Sequence, residues 1–414
     1  MLTVHIPHPL SAFYNEFLKN AGVTLMPLLN SAAHLQDEAT AWRRYLHENP
    51  ELLYDVTETA AFVEDKLRSF GVDEIVTGIG RIGVVGIING NKPGNRTIGL
   101  RADMDALPMQ ERSGKPWASK NPGKMHACGH DGHMSMLLGA AKYLAQTRNF
   151  SGRVALVFQP AEEGGAGGKA MIEDGLMDRF DISEVYGLHN FPGRPVGSFS
   201  IRSGPIMAAT DEFRIVIKGE GAHAAQPHAS VDPIVIGSQI VGALQTIVSR
   251  AINPVSALVV SVTEFHAGFT HNIIPGEAEL GGTVRSFTPE SRDMAERKIS
   301  EIAEGIASAH GAMAEVQYVR NYPPTVNHPD ETAHAIAAAQ FVGGEGAVDT
   351  DFGPWTAAED FSYMLEARPG AFILLGNGDT AGLHNPHYDF DDEALAYGIS
   401  YWVRLAEQRL SNGA

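Results

Sequence analysis

Short apolar runs that end in acids or histidine constrain this chain more than any other feature. Segments 83–89 (GVVGIIN), 97–102 (TIGLRA), 153–159 (RVALVFQ), 184–188 and 371–375 are too short and apolar to be anything but buried strands. They alternate with segments of helical period. Leu35, Ala39, Trp42 and Leu46 mark a helix over 35–49, stopped by Pro50, and Ala60, Val63, Leu67 and Phe70 mark another over 57–70. A third covers 134–146. Such alternation implies an α/β protein with its sheet covered by helices, and in such sheets functional groups gather where strands end. Here 97–102 runs into Asp103-Met104-Asp105, 153–159 into Pro160-Ala161-Glu162-Glu163, and 184–188 into His189-Asn190.

At 414 residues the chain is too long for one core, so two domains are expected. A formal charge of -18 argues against nucleic acid and against an anionic membrane surface as partners. It leaves room for a small anionic substrate, which a few local arginines could bind. A single cysteine permits no intrachain disulfide and suits a reducing compartment, so a cytoplasmic location is expected. No apolar run reads as long enough to span a membrane. The moderately apolar stretch 21–33 lacks a basic flank and is broken by Pro27, so residues 1–34 read as an extension packed on the domain rather than a signal peptide.

The pattern changes near 198–209. Residues 211–218 (DEFRIVIK) alternate as a half-exposed strand does. A helix follows over 232–251, opening on an Asp-Pro cap, then strands at 257–266 and 276–287, a helix at 289–310 and a strand at 314–319. That order, β-α-β-β-α-β, is ferredoxin-like. Helices at 330–341 and from 356, the strand 371–375 and a closing helix at 393–410 follow it, so the unit reads as an insertion. The expected domains are 1–206 with 322–414, interrupted by 207–321.

Segment 125–133 (MHACGHDGH) packs the only cysteine and several histidines among glycines. A Cys-x-His pair alone reads first as a buried cysteine beside surface histidines. The reading changes once Cys128, His130, Glu163, His189 and His384 are taken together, each at a strand end or loop. Five ligands are too many for one catalytic ion with an open position, but suit two ions sharing a bridging ligand. Glu162 would point away from Glu163 in extended backbone and could serve as general base to a metal-activated water. That is the chemistry of amide hydrolysis. One cysteine cannot build a zinc knuckle, and there is neither a phosphate-binding Gly-Lys-Ser/Thr loop nor a Gly-x-Ser-x-Gly elbow.

Five blocks now resemble a known family: 101–108 (RADMDALP), 125–131 (MHACGHD), 159–164 (QPAEEG), 187–190 (GLHN) and 383–385 (LHN). The chain looks like the hippurate hydrolase, N-acyl-amino-acid amidohydrolase and auxin-conjugate (indoleacetyl-amino-acid) hydrolase group of aminoacylase-type metallopeptidases, over residue 35 to the end. The resemblance implies a mixed-sheet, zinc-peptidase-like catalytic domain interrupted by a lid and dimerisation domain. It implies two divalent ions per subunit, zinc or manganese, with cobalt or nickel as alternatives. Their ligands would be Cys128, His130, Glu163, His189 and His384, with Cys128 bridging where related dipeptidases carry an aspartate, and Glu162 would be the base. Asp105 resembles the acid that orients a ligating histidine. Asp103 stands where relatives have a metal-binding histidine, so its role is open. In the inserted domain, His223 resembles a lid histidine that stabilises the carbonyl oxyanion, often in the partner subunit's site. Asn272 and Arg285 sit where relatives contact the substrate carboxylate. His126, His133, His228, His387 and Glu359 are left as support or surface.

The expected activity is therefore cleavage of an N-acyl amino acid by a homodimer or homotetramer. A dipeptidase or aminopeptidase, a hydrolytic deaminase, and an inactive metal-stabilised binding protein are the alternatives.

Overall fold

The computed structural model describes residues 33–411. The apolar stretch at 21–33 thus lies, but for its last residue, outside the described residues. In chain order the elements used below are α1 (Gln36–Glu48), α2 (Thr57–Phe70), β1 (Glu74–Ile79), β2 (Gly83–Asn89), β3 (Lys92–Asp103), α3 (His130–Thr147), β4 (Ser151–Gln159), α4 (Gly167–Glu173), β5 (Ile182–Phe191) and β6 (Phe199–Ser200). Then come β7 (Gly204–Met207), β8 (Ala209–Lys218), β9 (Ala222–His223), α5 (Pro233–Thr246), β10 (Leu258–Ala267), β11 (Ile273–Ile274), β12 (Glu277–Ser286), α6 (Pro289–Ala309), β13 (Met313–Arg320) and β14 (Thr325–Asn327). The last are α7 (Pro329–Gly343), β15 (Val348–Asp349), α8 (Ser362–Ala367), β16 (Gly370–Gly376) and α9 (Ala394–Arg409). They form two compact units. One holds residues through Ile201 with Pro329–Asp351 and the chain from Arg368; the other holds Arg202–His328 and Phe352–Ala367.

The first unit is built on an eight-stranded mixed sheet in the order β1-β2-β4-β3-β5-β16-β6-β15. Its centre, β4-β3-β5-β16, is parallel. These strands are buried along nearly their whole length because helices cover such sheets, and that is why their sequences are continuous apolar runs rather than alternating ones. The register places Asp103 opposite Gln159, Arg101 opposite Gly187, and His189 opposite Leu374. The carboxyl ends of three adjacent strands therefore open on one edge of the sheet.

Local differences from the sequence reading have local causes. The strand expected at 97–102 is longer: β3 begins at Lys92, with its pairing to β4 jumping between Lys92 and Thr97. β1 escaped notice because only its last residue is buried. α3 starts at His130, four residues early, because Gly129 adopts a left-handed φ of 90° and forms the N-cap. The helix expected to open at 356 starts at Ser362.

The second unit contains an antiparallel sheet, β10-β12-β8-β13, in ferredoxin-like order. Asp232 caps α5 by accepting the Ile234 N–H at 2.9 Å, with Pro233 in the first turn, and Thr288 caps α6 through the Ser291 N–H at 3.2 Å. Ile215, Ile217, Ile236, Ile240, Leu244, Leu280 and Ile299 fill its core. One expectation is corrected here: the helical stretch Pro233–Ala251 is long and apolar enough to cross a membrane by length and composition. Four of its residues, Ile236, Ile240, Leu244 and Ile247, are buried in that core.

Candidate active site

The edge where β3, β4 and β5 end carries the chemistry. Past β4 the chain does not continue extended, as the sequence reading assumed for Glu162 and Glu163. It turns. Ala161 takes a left-handed φ of 55° and Ala166 one of 53°. The Asp105 carboxylate pins the turn by accepting the Glu162 N–H at 2.9 Å and the Glu163 N–H at 3.1 Å. Gly167 is obligatory, since a Cβ there would lie 1.6 Å from the Pro160 carbonyl oxygen. Because both amides face Asp105, the two glutamates converge rather than diverge, each offering an oxygen within 4.8 Å of a His130 ring nitrogen. The sequence-based picture of opposed side chains is wrong for that reason.

Cys128 and His130 come from the loop and first turn leading into α3. His189 lies within β5, and His384 sits in a loop at a left-handed φ of 59°, held by its own N–H on the Ala127 carbonyl at 2.9 Å. The five side chains meet. Cys128 Sγ is 3.3 Å from His189 Nε2, Glu163 Oε1 is 3.2 Å from His384 Nε2, and His130 Nε2 is 4.0 Å from Glu163 Oε1. Two sets of three converge within 4.8 Å: Cys128, His130 and His189, and Cys128, Glu163 and His384. Cys128 is common to both.

Hydrogen bonds set which ring nitrogen is available. His130 Nδ1 donates to the Asp105 carbonyl at 2.7 Å, and His189 Nδ1 donates to the Asn190 carbonyl at 2.7 Å. Each Nε2 is left for the cluster, and that of His130 is buried with no hydrogen-bond partner. Asp105 thus orients His130 through its backbone oxygen, while its carboxylate, 3.7 Å from the same ring, holds the glutamate turn. His133 is fully engaged. Its Nε2 accepts the Asn190 N–H at 2.9 Å, so the proton is on Nδ1, 2.6 Å from Asp103 Oδ1. That removes His133 as a ligand, although it clusters with Asp103 and His130.

The electrostatics fit a site made for cations. Burial pushes the Cys128 thiol up, and Glu163, Glu162 and Asp103 push it further. Burial alone would lower His130, but Asp103 and Asp105 raise it to about 10. Burial and the neighbouring His133 drive His189 well below the usual imidazole range. Carboxylates crowded around a thiol and His130, whose retention of a proton they favour, are what a divalent ion would compensate in the proton's place.

In the second unit, β9 pairs with β11, His223 opposite Ile273, and the Ala224 N–H donates to the Asn272 carbonyl at 3.0 Å. His223 and Asn272 line one open cleft of about 810 Å³ with Phe269, Ile273 and Pro275. Arg285 is not with them. It lies eight residues along β12 from Glu277, roughly 27 Å at about 3.4 Å per residue.

The family model for "Peptidase family M20/M25/M40" matches residues 99–408. Hippurate hydrolase of Campylobacter jejuni is 43% identical over 92% of this chain and 99% of its own length. The chain belongs to the M20/M25/M40 peptidase family. Thermostable carboxypeptidase 2 of Saccharolobus solfataricus is 42% identical over 92% of this chain and 97% of its own. A Bacillus subtilis protein solved as a dinuclear metal binding peptidase from the M20 family superposes with a TM-score of 0.81, at 36% identity, over 92% of this chain and all (100%) of that one.

As an M20/M25/M40 peptidase the chain also carries support that sequence reading missed. Asn190 closes the site from behind, its Nδ2 donating to the Cys128 carbonyl at 2.6 Å while its Oδ1 accepts the buried Tyr388 hydroxyl at 2.7 Å. A Cβ on Gly129 would come within 2.2 Å of that amide nitrogen, so glycine is required there for space as well as for φ. His133 and His126, left as support or surface, are buried, as is Glu359, whereas His228 and His387 are exposed. The spacing of His130 and His133, three apart on a helix, was the one available signal that they share a face.

Proposed function

We propose that this chain is a metal-dependent amidohydrolase that releases an amino acid, free at its carboxylate, from an N-acyl group. The observation that carries the proposal is the sharing of Cys128 by two three-residue ligand sets. On this reading two divalent ions would be held with Cys128 as the shared residue, one by His130 and His189 and the other by Glu163 and His384. A thiolate bridge beside imidazoles and one carboxylate suits zinc, manganese, cobalt or nickel. When bound, the two ions would supply Lewis acidity, acidifying a water and polarising the amide carbonyl.

The chain's own residues do the rest. Glu162 takes the proton as the water oxygen attacks the carbonyl carbon, and returns it to the nitrogen as the C–N bond breaks. His223 Nδ1 accepts the Ala225 N–H at 3.1 Å, which leaves Nε2–H free to donate to the carbonyl oxygen as charge develops there. Arg285 is half-buried, and no carboxylate forms a salt bridge with it among the described residues, so its guanidinium suits a substrate carboxylate. Asn272 and Arg285 stand too far apart on one chain to hold the same small carboxylate. Both assignments stand together only if one comes from a partner subunit, which is the reason for proposing a homodimer or homotetramer through the inserted unit. A cytoplasmic location is in keeping with a single buried cysteine.

The similarity to a hippurate hydrolase favours an acyl group over a peptide on the amine side; the similarity to a carboxypeptidase favours a peptide. Both leave the amino acid carboxylate free. Turnover of hippurate, N-acetyl and indoleacetyl amino acids should appear with Mn²⁺ or Zn²⁺ and vanish with chelator. Cleavage of dipeptides alone would give the peptidase reading, and no cleavage of any of them would overturn both.

A further inference from the structure

We propose that Asp103 is a positioning residue for the metal site: a fixed, buried negative charge that favours an ion at the Cys128, His130 and His189 position. This rests on the two-ion reading above. Asp103 is inaccessible to solvent, and its Oδ2 is 3.6 Å from His130 Nε2, closer than the ligand Glu163 at 4.0 Å. That separation is too long for a hydrogen bond, so the carboxylate acts on His130 by its charge. It is also not a ligand of the Cys128 sets, because its metal-competent neighbours are His130 and His133.

Both carboxylate oxygens are tied. Oδ1 accepts His133 Nδ1–H at 2.6 Å, and Oδ2 accepts Arg101 Nη1–H at 2.8 Å. Arg101 is fixed in turn by Gln159 Oε1 at 2.9 Å, and His133 by the Asn190 N–H at 2.9 Å. Since Nε2 of His133 accepts a backbone donor, His133 is neutral and does not cancel Asp103. Arg101 pairs directly with Oδ2, so what His130 meets is the negative end of a buried ion pair, with that oxygen 3.6 Å from its Nε2. In a low-dielectric interior a charge so placed weighs on any cation bound at Nε2. The sign does not depend on whether His130 first holds a proton. Two divalent ions bring four positive charges and displace at most the His130 proton and the Cys128 thiol proton, so Asp103 favours the exchange either way.

The test is metal binding by the intact protein, read by competition with a chelating dye and by metal count. The unmodified protein should hold two ions; if it holds none or one, the two-ion reading fails rather than this inference. Asp103→Asn keeps the shape and an acceptor for His133 while removing the charge. It leaves Arg101 buried beside a neutral amide, so it should melt below the parent when metal-free, and it should hold one of its two ions about 10–100-fold more weakly, the usual cost of losing a group behind a ligand. In a His384→Ala background, which spares the Cys128, His130 and His189 position, the same loss should appear in the remaining ion. His133→Gln leaves the charge but removes the imidazole, and should bind both ions within about threefold of the parent. Unchanged affinity in Asp103→Asn overturns the proposal. So does an equal loss in His133→Gln, which would assign the effect to the hydrogen-bonded frame. Should Asp103→Asn not fold, His133→Gln decides alone: tenfold loss overturns the charge argument and retention supports it.

Discussion

The carboxylate of Asp105 accepts the backbone N–H of Glu162 at 2.9 Å, with the next amide, of Glu163, on its other oxygen at 3.1 Å. One acid from the end of β3 thus sets the position of a candidate base and a candidate ligand beyond the end of β4. Asp105→Ala would leave two amides without their acceptor. A loss of about 3 kcal/mol is expected, since hydrogen bonds to charged groups contribute about 1.5–3 kcal/mol each. Chemical unfolding measures the stability, and turnover should fall with it as Glu162 drifts. A variant as stable and active as the parent would remove Asp105 from this role.

Glu162 is assigned the proton transfer and Glu163 a metal, although they are adjacent. Glu162→Gln should therefore keep both ions while losing about 10²- to 10⁴-fold in turnover. Metal count and initial rates on the best acyl amino acid check both halves. Retained activity, or loss of metal with activity, would refute the division of labour.

The proposed dimer predicts that His223, which shares its cleft with Asn272, serves a partner's site. Mixing Glu162→Gln with His223→Ala chains, each nearly inactive alone, should restore roughly one quarter of parental activity, because half of randomly mixed dimers are hybrids and each hybrid has one complete site. No recovery after subunit exchange would mean that His223 acts within its own chain or not at all.

A pH effect on stability follows from His47, whose partner Asp131 adjoins the candidate ligand His130. His47 is buried, with Nδ1 2.8 Å from Asp131 Oδ2 and Nε2 3.3 Å from Glu111 Oε1. Burial alone would lower it, but Asp131 and Glu111 raise it to about 9 from 6.5. A raised pKa means that the folded state holds its proton more tightly than the unfolded one. The contribution, about 3 kcal/mol, is full below pH 6.5 and is lost as pH rises through about 9. Unfolding of the metal-free protein at several pH values should show the decline, and His47→Gln should flatten it. Equal slopes in parent and variant would contradict the assignment.

How far the sequence led can be read from particular residues. The buried strands were legible because parallel central strands are apolar throughout, and their ends pointed to Glu163 and His189. The β-α-β-β-α-β unit was legible from alternation and from its Asp232 cap. Side-chain closure was not legible. Asn190 reaches Cys128, 62 residues away, and Tyr388, 198 residues away, and no local pattern marks either pairing. The turn at Ala161 was hidden too, because alanine does not advertise a left-handed φ. The separation of Asn272 from Arg285 follows from the strand already expected at 276–287, which the structure places at Glu277–Ser286.

The central claim is that one thiolate serves two ions. Anomalous diffraction from crystals of the zinc-loaded protein tests it directly. Two peaks are predicted, each about 2.3 Å from Cys128 Sγ, one against His130 and His189 and the other against Glu163 and His384. A single peak, or two peaks of which only one touches the sulfur, would contradict the account.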